Sequence, residues 1–548
     1  MFLNKINRNW KEEALENNAI IYYIGNHQSI KDFALQIDIS SIPLKDKLTT
    51  LLNSVKGNYA FVIQTSLWSL AVVDRISGYN IFYSNKSNAL VLSNCPYFLA
   101  ENVEASDVDH SSLIELKMSG YTTSNRTVLS DINRLRSGEL LIVDHEKNIF
   151  NTHRYYEFYT NFVCKDNEDL AIDKLDSITN KIIERNICEA NGRTIWIPLS
   201  GGLDSRFLIS KFKQHGYGNL KSYSYGVKGN YDAYRAKYIA KKLDISWDFI
   251  PTSKQQSRDF FQSEERLKYW KFSDDLSVAP NVNGFFAVKE LFRLNKMQVG
   301  DVVINGQSGD FISGQHIPHV SDMNGDLSKI LHSSIINKHY SLRKSMMVDN
   351  NIKIIKSCIN KTLERKIDID DFQEFAKLYE CWEWQERQSK RVINGQRTYD
   401  FFCLDWKLPM WDLEYLNFWR ELPLSMKIDR RLFVKYLKKY DFYGLFNGID
   451  PFMSRWPKHR IYIQFLGNII SKTCGKSCSD KFYKKLDWYS QYQYLYALTG
   501  REMYNNHWHD YKGSFPYLTD AWINENINQG PDSQCNLITN DKSSSVYN

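Results

Sequence analysis

The stretch "IWIPLSGGLDSRF", residues 195–207, decides how the chain is read. An apolar run from Ile195 to Ile197 stops before Ser200, two glycines follow, and Asp204 and Ser205 open a helix. Phe207, Leu208 and Phe212 supply that helix with an apolar face, and Gly216 supplies its stop. The pattern is strand, tight turn, helix. The first N–H groups of a helix have no intrahelical partner and the helix dipole adds partial positive charge there, so the turn favours an anion. Gly201 and Gly202 let the backbone approach a ligand with no Cβ in the way, and the hydroxyls of Ser200 and Ser205 add donors. A carboxylate at Asp204 beside an anion is repulsive unless a cation lies between them. Magnesium, which takes carboxylate and phosphate oxygens together, resolves the conflict. The stretch therefore predicts a nucleotide pyrophosphate held with a metal. No lysine follows the glycines, so this is not the phosphate loop of GxxxxGK[ST] spacing.

On either side the texture of the chain differs. From Ile20 to about Asp144, short apolar runs ("AIIYYIG", "YAFVIQ", "LWSLAVVD", "YNIFYS", "ALVLS", "ELLIVD") recur between turns and predict antiparallel sheets. From Leu170 onward, "TIWIPLS", "KSYSYGV", "WDFIP" and "DVVING" give four strands, most separated by enough chain for a helical crossover, which predicts a mostly parallel sheet covered on both faces. Ala236, Ile239, Ala240 and Leu243 form the sheet-facing stripe of one such helix.

With 548 residues the chain exceeds the size at which a single core stops growing, so two domains are expected. The net charge of +7 is diffuse and argues against a nucleic-acid footprint. No secretory signal and no uncharged apolar run of spanning length is apparent, and the nine scattered cysteines suit reduced thiols, so a soluble cytoplasmic protein is expected. Cys474 and Cys478 are the only close cysteine pair, and with no second pair they do not complete a zinc site.

"SGGLDS" resembles the pyrophosphate loop of the N-type ATP pyrophosphatases, and the chain as a whole is similar to the asparagine synthetase family. In that family the loop clamps the pyrophosphate of ATP while a carboxylate attacks the α-phosphorus to give an acyl adenylate. "INGQSGDFISG" is similar to the family's second acidic loop, and the resemblance places Asp310 as the other magnesium carboxylate beside Asp204. "DWKLPMWD" matches a further family segment at Asp405, Lys407, Pro409 and Asp412, with Arg387 upstream. For Arg387 and Asp412 a structural ion pair competes with substrate contact. Lys458 lies about where the family keeps a lysine on the leaving pyrophosphate, and a surface lysine is the competing reading there.

The resemblance implies an adenine nucleotide alpha hydrolase-like α/β domain with a mostly parallel, doubly wound sheet, preceded by an α+β antiparallel N-terminal nucleophile-like domain. The boundaries read are 1–160 for a degenerate glutaminase-like domain, 165–465 for the ATP pyrophosphatase domain, 466–527 for an aromatic-rich extension and 528–548 for an unstructured tail. "GNYAFVI", "DRISGYNIFYS" and "GYTTSNRTVLSDINRLRSGELLIV" are similar to the family's N-terminal sheet segments. Family members that hydrolyse glutamine use an N-terminal cysteine, whereas this chain reads Met1, Phe2 and has its first cysteine at Cys95. A catalytically empty domain is expected. Gln307 stands where the family has a glutamate implicated in proton handling, and an amide cannot take up that proton.

The function expected is an ATP-dependent, AMP-forming amide ligase lacking its own glutaminase. Ser200, Gly201, Gly202, Asp204 and Ser205 are expected to bind ATP, Asp204 and Asp310 to bind Mg2+, and Gln307 and Lys458 to serve the chemistry. The partners expected are a small carboxylate and ammonia or an amine, with no nucleic acid, no membrane, and a homodimer left open. Amidation of a sugar acid in surface polysaccharide, and a nucleotide-binding relative without turnover, are the alternatives.

Overall fold

The computed structural model describes residues 2–3, 9–86, 90–319, 325–364, 369–447, 459–489 and 500–527. Its N-terminal region holds ten strands among the described residues: β1 (Phe2–Leu3), β2 (Lys11–Ala14), β3 (Ile20–Gly25), β4 (Tyr59–Gln64), β5 (Trp68–Val73), β6 (Phe82–Ser84), β7 (Val91–Ser93), β8 (Asn133–Arg134), β9 (Glu139–Asp144) and β10 (Ile149–Arg154). They form an antiparallel six-stranded sheet, in the order β10-β9-β5-β4-β3-β2, and a smaller sheet in the order β1-β7-β6-β8. The central strands read as continuous apolar runs because both of their faces are covered. In β4, Ala60 and Val62 turn toward a core shared with Tyr83 and Leu92 of the smaller sheet and with Ile81 just before it. Phe61 and Ile63 turn the other way, among Phe33 and the main core.

The second region is a parallel sheet of β11 (Ile195–Pro198), β12 (Leu220–Gly226), β13 (Ser246–Pro251), β14 (Val302–Ile304) and β15 (Asp405–Lys407), in the order β13-β12-β11-β14-β15. Four of these strands are the ones expected from the sequence. The fifth, β15, has three residues and falls inside the motif "DWKLPMWD", so its strand character is too short to register as a pattern. The helix Tyr231–Lys242 buries Ala236, Ile239 and Ala240, as its periodicity predicts.

The strand order positions the site. From β11 the chain moves outward through β12 to β13, then crosses to the opposite side of β11 to form β14, and both β12 and β14 pair parallel with β11. The turns leaving β11 and β14 thus rise side by side at the carboxyl end of the sheet, the switch point where open α/β sheets form a crevice.

The two regions and the C-terminal segment meet at Asp274. This buried carboxyl accepts hydrogen bonds from the Tyr97 hydroxyl (2.6 Å), the Leu276 N–H (2.8 Å) and the Trp522 indole. Burial outweighs those bonds and raises its pKa to about 7. Between the ordinary carboxylate pKa and about 7 the folded chain therefore binds a proton that the unfolded chain has lost, and stability falls as pH rises through that window. Asp274→Asn removes this titration, so between pH 4 and pH 8 the parent should lose stability relative to the variant, by on the order of 3 kcal/mol, whatever constant offset the amide's own N–H donors impose. Thermal melting of the two proteins across this range checks the sign. An equal offset at both pH values would show that Asp274 does not titrate in the window.

Candidate functional site at the sheet switch point

The helix Leu203–Gln214 starts directly after the Gly-rich turn and has no side-chain cap, so its first N–H groups face the turn. Two serines hold the turn closed. The Ser205 hydroxyl accepts from the Ser200 N–H (3.1 Å) and lies 3.0 Å from the Ser200 hydroxyl, which itself accepts from the Gly202 N–H (3.2 Å). Arg206 braces the turn from beneath, donating to the Gly201 carbonyl (2.6 Å) and to that of Leu445 (3.1 Å). A Cβ on Gly201 would lie 2.9 Å from both Arg235 Cδ and Asp232 Oδ1, side-chain atoms that would have to move aside.

The second loop, leaving β14, packs onto the first. A Cβ on Gly306 would lie 3.0 Å from the Ser205 nitrogen, and one on Gly309 would lie 2.6 Å from Asp204 Oδ1 and 2.3 Å from Met410 Sδ. The second loop thus brings Asp310 near enough to add to the charge felt by Asp204, and Arg430 acts on both carboxyls. Arg430 forms an ion pair with Asp204, and its ring-side contact is Phe433, 4.6 Å from the guanidinium. Asp429 and Arg430 both adopt left-handed backbone (φ 55° and 61°), a conformation that costs a non-glycine residue roughly 1–2 kcal/mol. The surrounding packing holds that strain and sets the guanidinium against the turn.

The two carboxyls are tuned in opposite directions. Burial pushes the Asp204 carboxyl above the ordinary range, with Arg430 opposing and Asp310 adding to the rise. Burial also acts to raise Asp310, but the hydrogen bond and charge of His316, with Arg430 beyond, pull it well below that range. His316 lies between two acids, with Nε2 3.2 Å from Asp310 and Nδ1 2.6 Å from Glu383. Glu383 is fully buried and also receives Arg387 (3.0 Å) and Gln388 (3.1 Å). It ends the helix Phe372–Glu383, after which Trp384–Val392 widens into π-helical turns that carry Gln388 to the Ser308 hydroxyl (2.7 Å). Beside the turns, a cleft of about 400 Å³ is lined by Ser200, Tyr225, Asn281, Asn305, Gln307 and Tyr399, among others.

Other candidates from the sequence sit differently. Gln307 lines the cleft, but its amide nitrogen donates to the Val392 carbonyl and its amide oxygen accepts from Gln396, so the group is tied to the π-helical segment. Asp412 caps the helix Leu413–Glu421 and pairs with Arg185 (2.6 Å), Lys407 pairs with Glu189, and Asp405 with Arg193. These residues line a second cavity of about 390 Å³ between the two regions, not the cleft by Ser200. Arg387 pairs with Glu383. Lys458 and the tail 528–548 lie outside the described residues. Cys95 is buried at the start of the helix Pro96–Asn102. Arg430, His316 and Glu383 were not legible beforehand: they sit in segments with no motif, and only folding brings them to Asp204 and Asp310.

No protein-family model matches the chain, and no curated protein matches it in sequence. Among solved structures it is similar to one described as the allosteric regulatory enzyme of purine biosynthesis, at 11% identity and a TM-score of 0.18 over 59% of each chain. It is also similar to glutamine phosphoribosylpyrophosphate amidotransferase from B. subtilis complexed with ADP and GMP, at 11% identity and a TM-score of 0.18, over 68% of this chain and 78% of that one. The chain thus spans less than two thirds of the first of these structures, and at such TM-scores the likeness decides nothing about the site. Among the described residues, no helix is long and apolar enough to cross a membrane.

The contact between the two loops is directly testable. Gly309→Ala drives a methyl into Asp204 and Met410, and overpacking of this kind costs about 1–3 kcal/mol. The variant should melt earlier than the parent. Unchanged melting would separate the two loops and with them the two carboxyls.

Proposed function

We propose that the chain is an ATP-dependent, AMP-forming amide ligase of asparagine synthetase type, which activates a carboxylate as its acyl adenylate for attack by ammonia or an amine. The observation that carries this reading is the meeting of Asp204 and Asp310 beside an uncapped helix start, at the switch point of a parallel sheet. Anion-binding turns and paired carboxylates are in conflict unless a cation joins them, and Arg430 offsets part of that charge through its ion pair with Asp204 and its field at Asp310. The donors fit magnesium, a hard cation that takes few protein carboxylates and completes its shell with phosphate oxygens and water. Asp204 and Asp310 would hold it, and when bound it supplies charge neutralisation for the departing pyrophosphate.

The chain's own residues do the remaining work in this reading. The N–H groups of the turn and the hydroxyls of Ser200 and Ser205 receive the pyrophosphate, and the helix dipole favours its charge. The cleft by Tyr225, Asn281 and Tyr399 is large enough for a nucleoside, and it offers apolar ring faces together with amide donors and acceptors. Alignment of the carboxylate with the α-phosphorus is then the principal source of rate. Gln307 orients the wall of the cleft through Val392 and Gln396 and does not take up a proton, so the attacking nitrogen must arrive neutral or lose its proton elsewhere. The N-terminal sheets serve here to pack the second domain.

The reading is tested by following pyrophosphate release from ATP with a panel of carboxylates and ammonium. Asp204→Asn should lower release by roughly a hundredfold or more while the protein stays folded. Full turnover in that variant would remove the metal assignment. ATP binding by the parent, with no pyrophosphate formed for any carboxylate, would instead identify a nucleotide-binding protein without turnover.

A further inference from the structure

Buried arginines elsewhere in the chain are anchored by several acceptors. Arg206 donates to the carbonyls of Gly201 and Leu445, and Arg75 to those of Leu52 (2.8 Å) and Val55 (3.0 Å). Arg134 reaches Asp275, Ser277, Asn80 and the Ser389 carbonyl. Arg430 is held differently. Both of its Nη atoms face the Asp204 carboxyl, one lying 3.4 Å from Oδ2 and the other paired with Oδ1. Among the described residues no backbone carbonyl accepts from it, and its Nε has no acceptor at all, although only 6% of the residue is exposed. A guanidinium carries five N–H donors, so this buried group keeps donors that a single carboxyl leaves unused.

Its place in the fold gives those donors a use. Arg430 precedes the helix Arg431–Tyr440 in left-handed backbone, a conformation that arginine adopts rarely. Asp204 is the second residue of the uncapped helix Leu203–Gln214, so an anion received by the first N–H groups of that helix lies within one turn of the ion pair. A divalent cation shared by Asp204 and Asp310 needs the Asp204 oxygens that Arg430 now covers. Guanidinium and metal are therefore rivals for one carboxyl. A planar fork of donors fits phosphate oxygens as well as carboxylate oxygens, so phosphates in the turn offer Arg430 a second partner.

We infer that Arg430 is an exchangeable counter-ion of the site: in the empty chain it neutralises Asp204 and keeps free metal from that carboxyl, and when a nucleotide enters it passes to the phosphates and yields Asp204 to the metal. The inference rests on the ligase reading for the nucleotide and the metal, and adds the order in which they are accepted. Metal enters with the phosphates and not before them. In the absence of metal the same guanidinium is the cation that keeps phosphates and the Asp204 carboxylate from repelling each other. A purely structural ion pair would have neither property.

The experiment compares the full chain with Arg430→Met and Arg430→Lys, using Mn2+ as the metal because it takes the same oxygen ligands and is counted by its spin resonance. Without nucleotide, Arg430→Met should bind free Mn2+ about tenfold or more tightly than the parent, because Asp204 is released. With ATP and a chelator, calorimetry should show the reverse, a loss of about tenfold or more in ATP affinity, because no cation remains beside that carboxylate. Arg430→Met leaves Asp204 buried without a counter-charge, so it should melt early in chelator and recover on adding Mn2+. Arg430→Lys keeps the charge and loses the fork, so it should exclude free Mn2+ as the parent does while still binding ATP less tightly. Equal affinity of the parent and Arg430→Met for free Mn2+, or weaker binding of both ligands by the variant, overturns the inference. If the parent binds ATP with Mn2+ in that case, the ligase reading stands without it. No ATP binding by the parent under any of these conditions overturns both.

Discussion

The structure turns on how closely two loops approach at one end of a parallel sheet. β11 and β14 are neighbours only because the chain reverses its direction of travel across the sheet after β13, and that reversal opens a crevice above their carboxyl ends. Gly306 and Gly309 then let the second loop lie on the first at a distance no side chain would tolerate. Every property of the candidate site follows from that contact. It brings Asp310 to Asp204, and it leaves the uncapped start of a helix facing the same volume.

Bringing two carboxyls together is costly, and the remainder of the site offsets the cost. Arg430 faces Asp204, held by two residues of left-handed backbone, and His316 ties Asp310 to the fully buried Glu383. The result is an asymmetric pair, one carboxyl pushed up and the other pulled down. Such asymmetry is how neighbouring acids avoid sharing the same charge state. The π-helical turns after Glu383 feed the same network by setting Gln388 against Ser308 and the Val392 carbonyl against Gln307.

The N-terminal sheets attach to this framework through buried polar contacts as much as through apolar ones. Lys390 spends its three donors on the carbonyls of Thr122 (2.7 Å) and Ser124 (2.8 Å) and on Glu386 (2.7 Å). Arg134 reaches Asp275 (3.3 Å), Ser277 (2.9 Å) and Asn80 (2.8 Å). Buried charges that are paired add little net stability, but separating them is expensive, which holds the two regions in one arrangement. The loop "GYTTSNRT", which the sequence associates with the sheet alone, thereby becomes the seat of the helical segment that walls the cleft.

Period and turn chemistry are local, and what depends on them was readable directly. The apolar runs from "AIIYYIG" to "ELLIVD" are strands, four of the five parallel strands were marked in the pattern, and "SGGLDS" announced a strand, a turn and a helix start because each step needs only neighbouring residues. Pairing across the chain is not local. Asp204 and Arg430 are 226 residues apart, and nothing in the pattern around "KIDRRLF" indicates that one guanidinium will turn back toward a carboxyl. Likewise the acids and bases of "DWKLPMWD" look like site residues in one dimension, and only folding commits them to Arg185, Glu189 and Arg193. The sequence by itself determined most of the elements and the turn that joins β11 to its helix. The tertiary structure alone decided which charges meet, because a charge is drawn to whatever the packed backbone carries within a few ångströms, however distant along the chain.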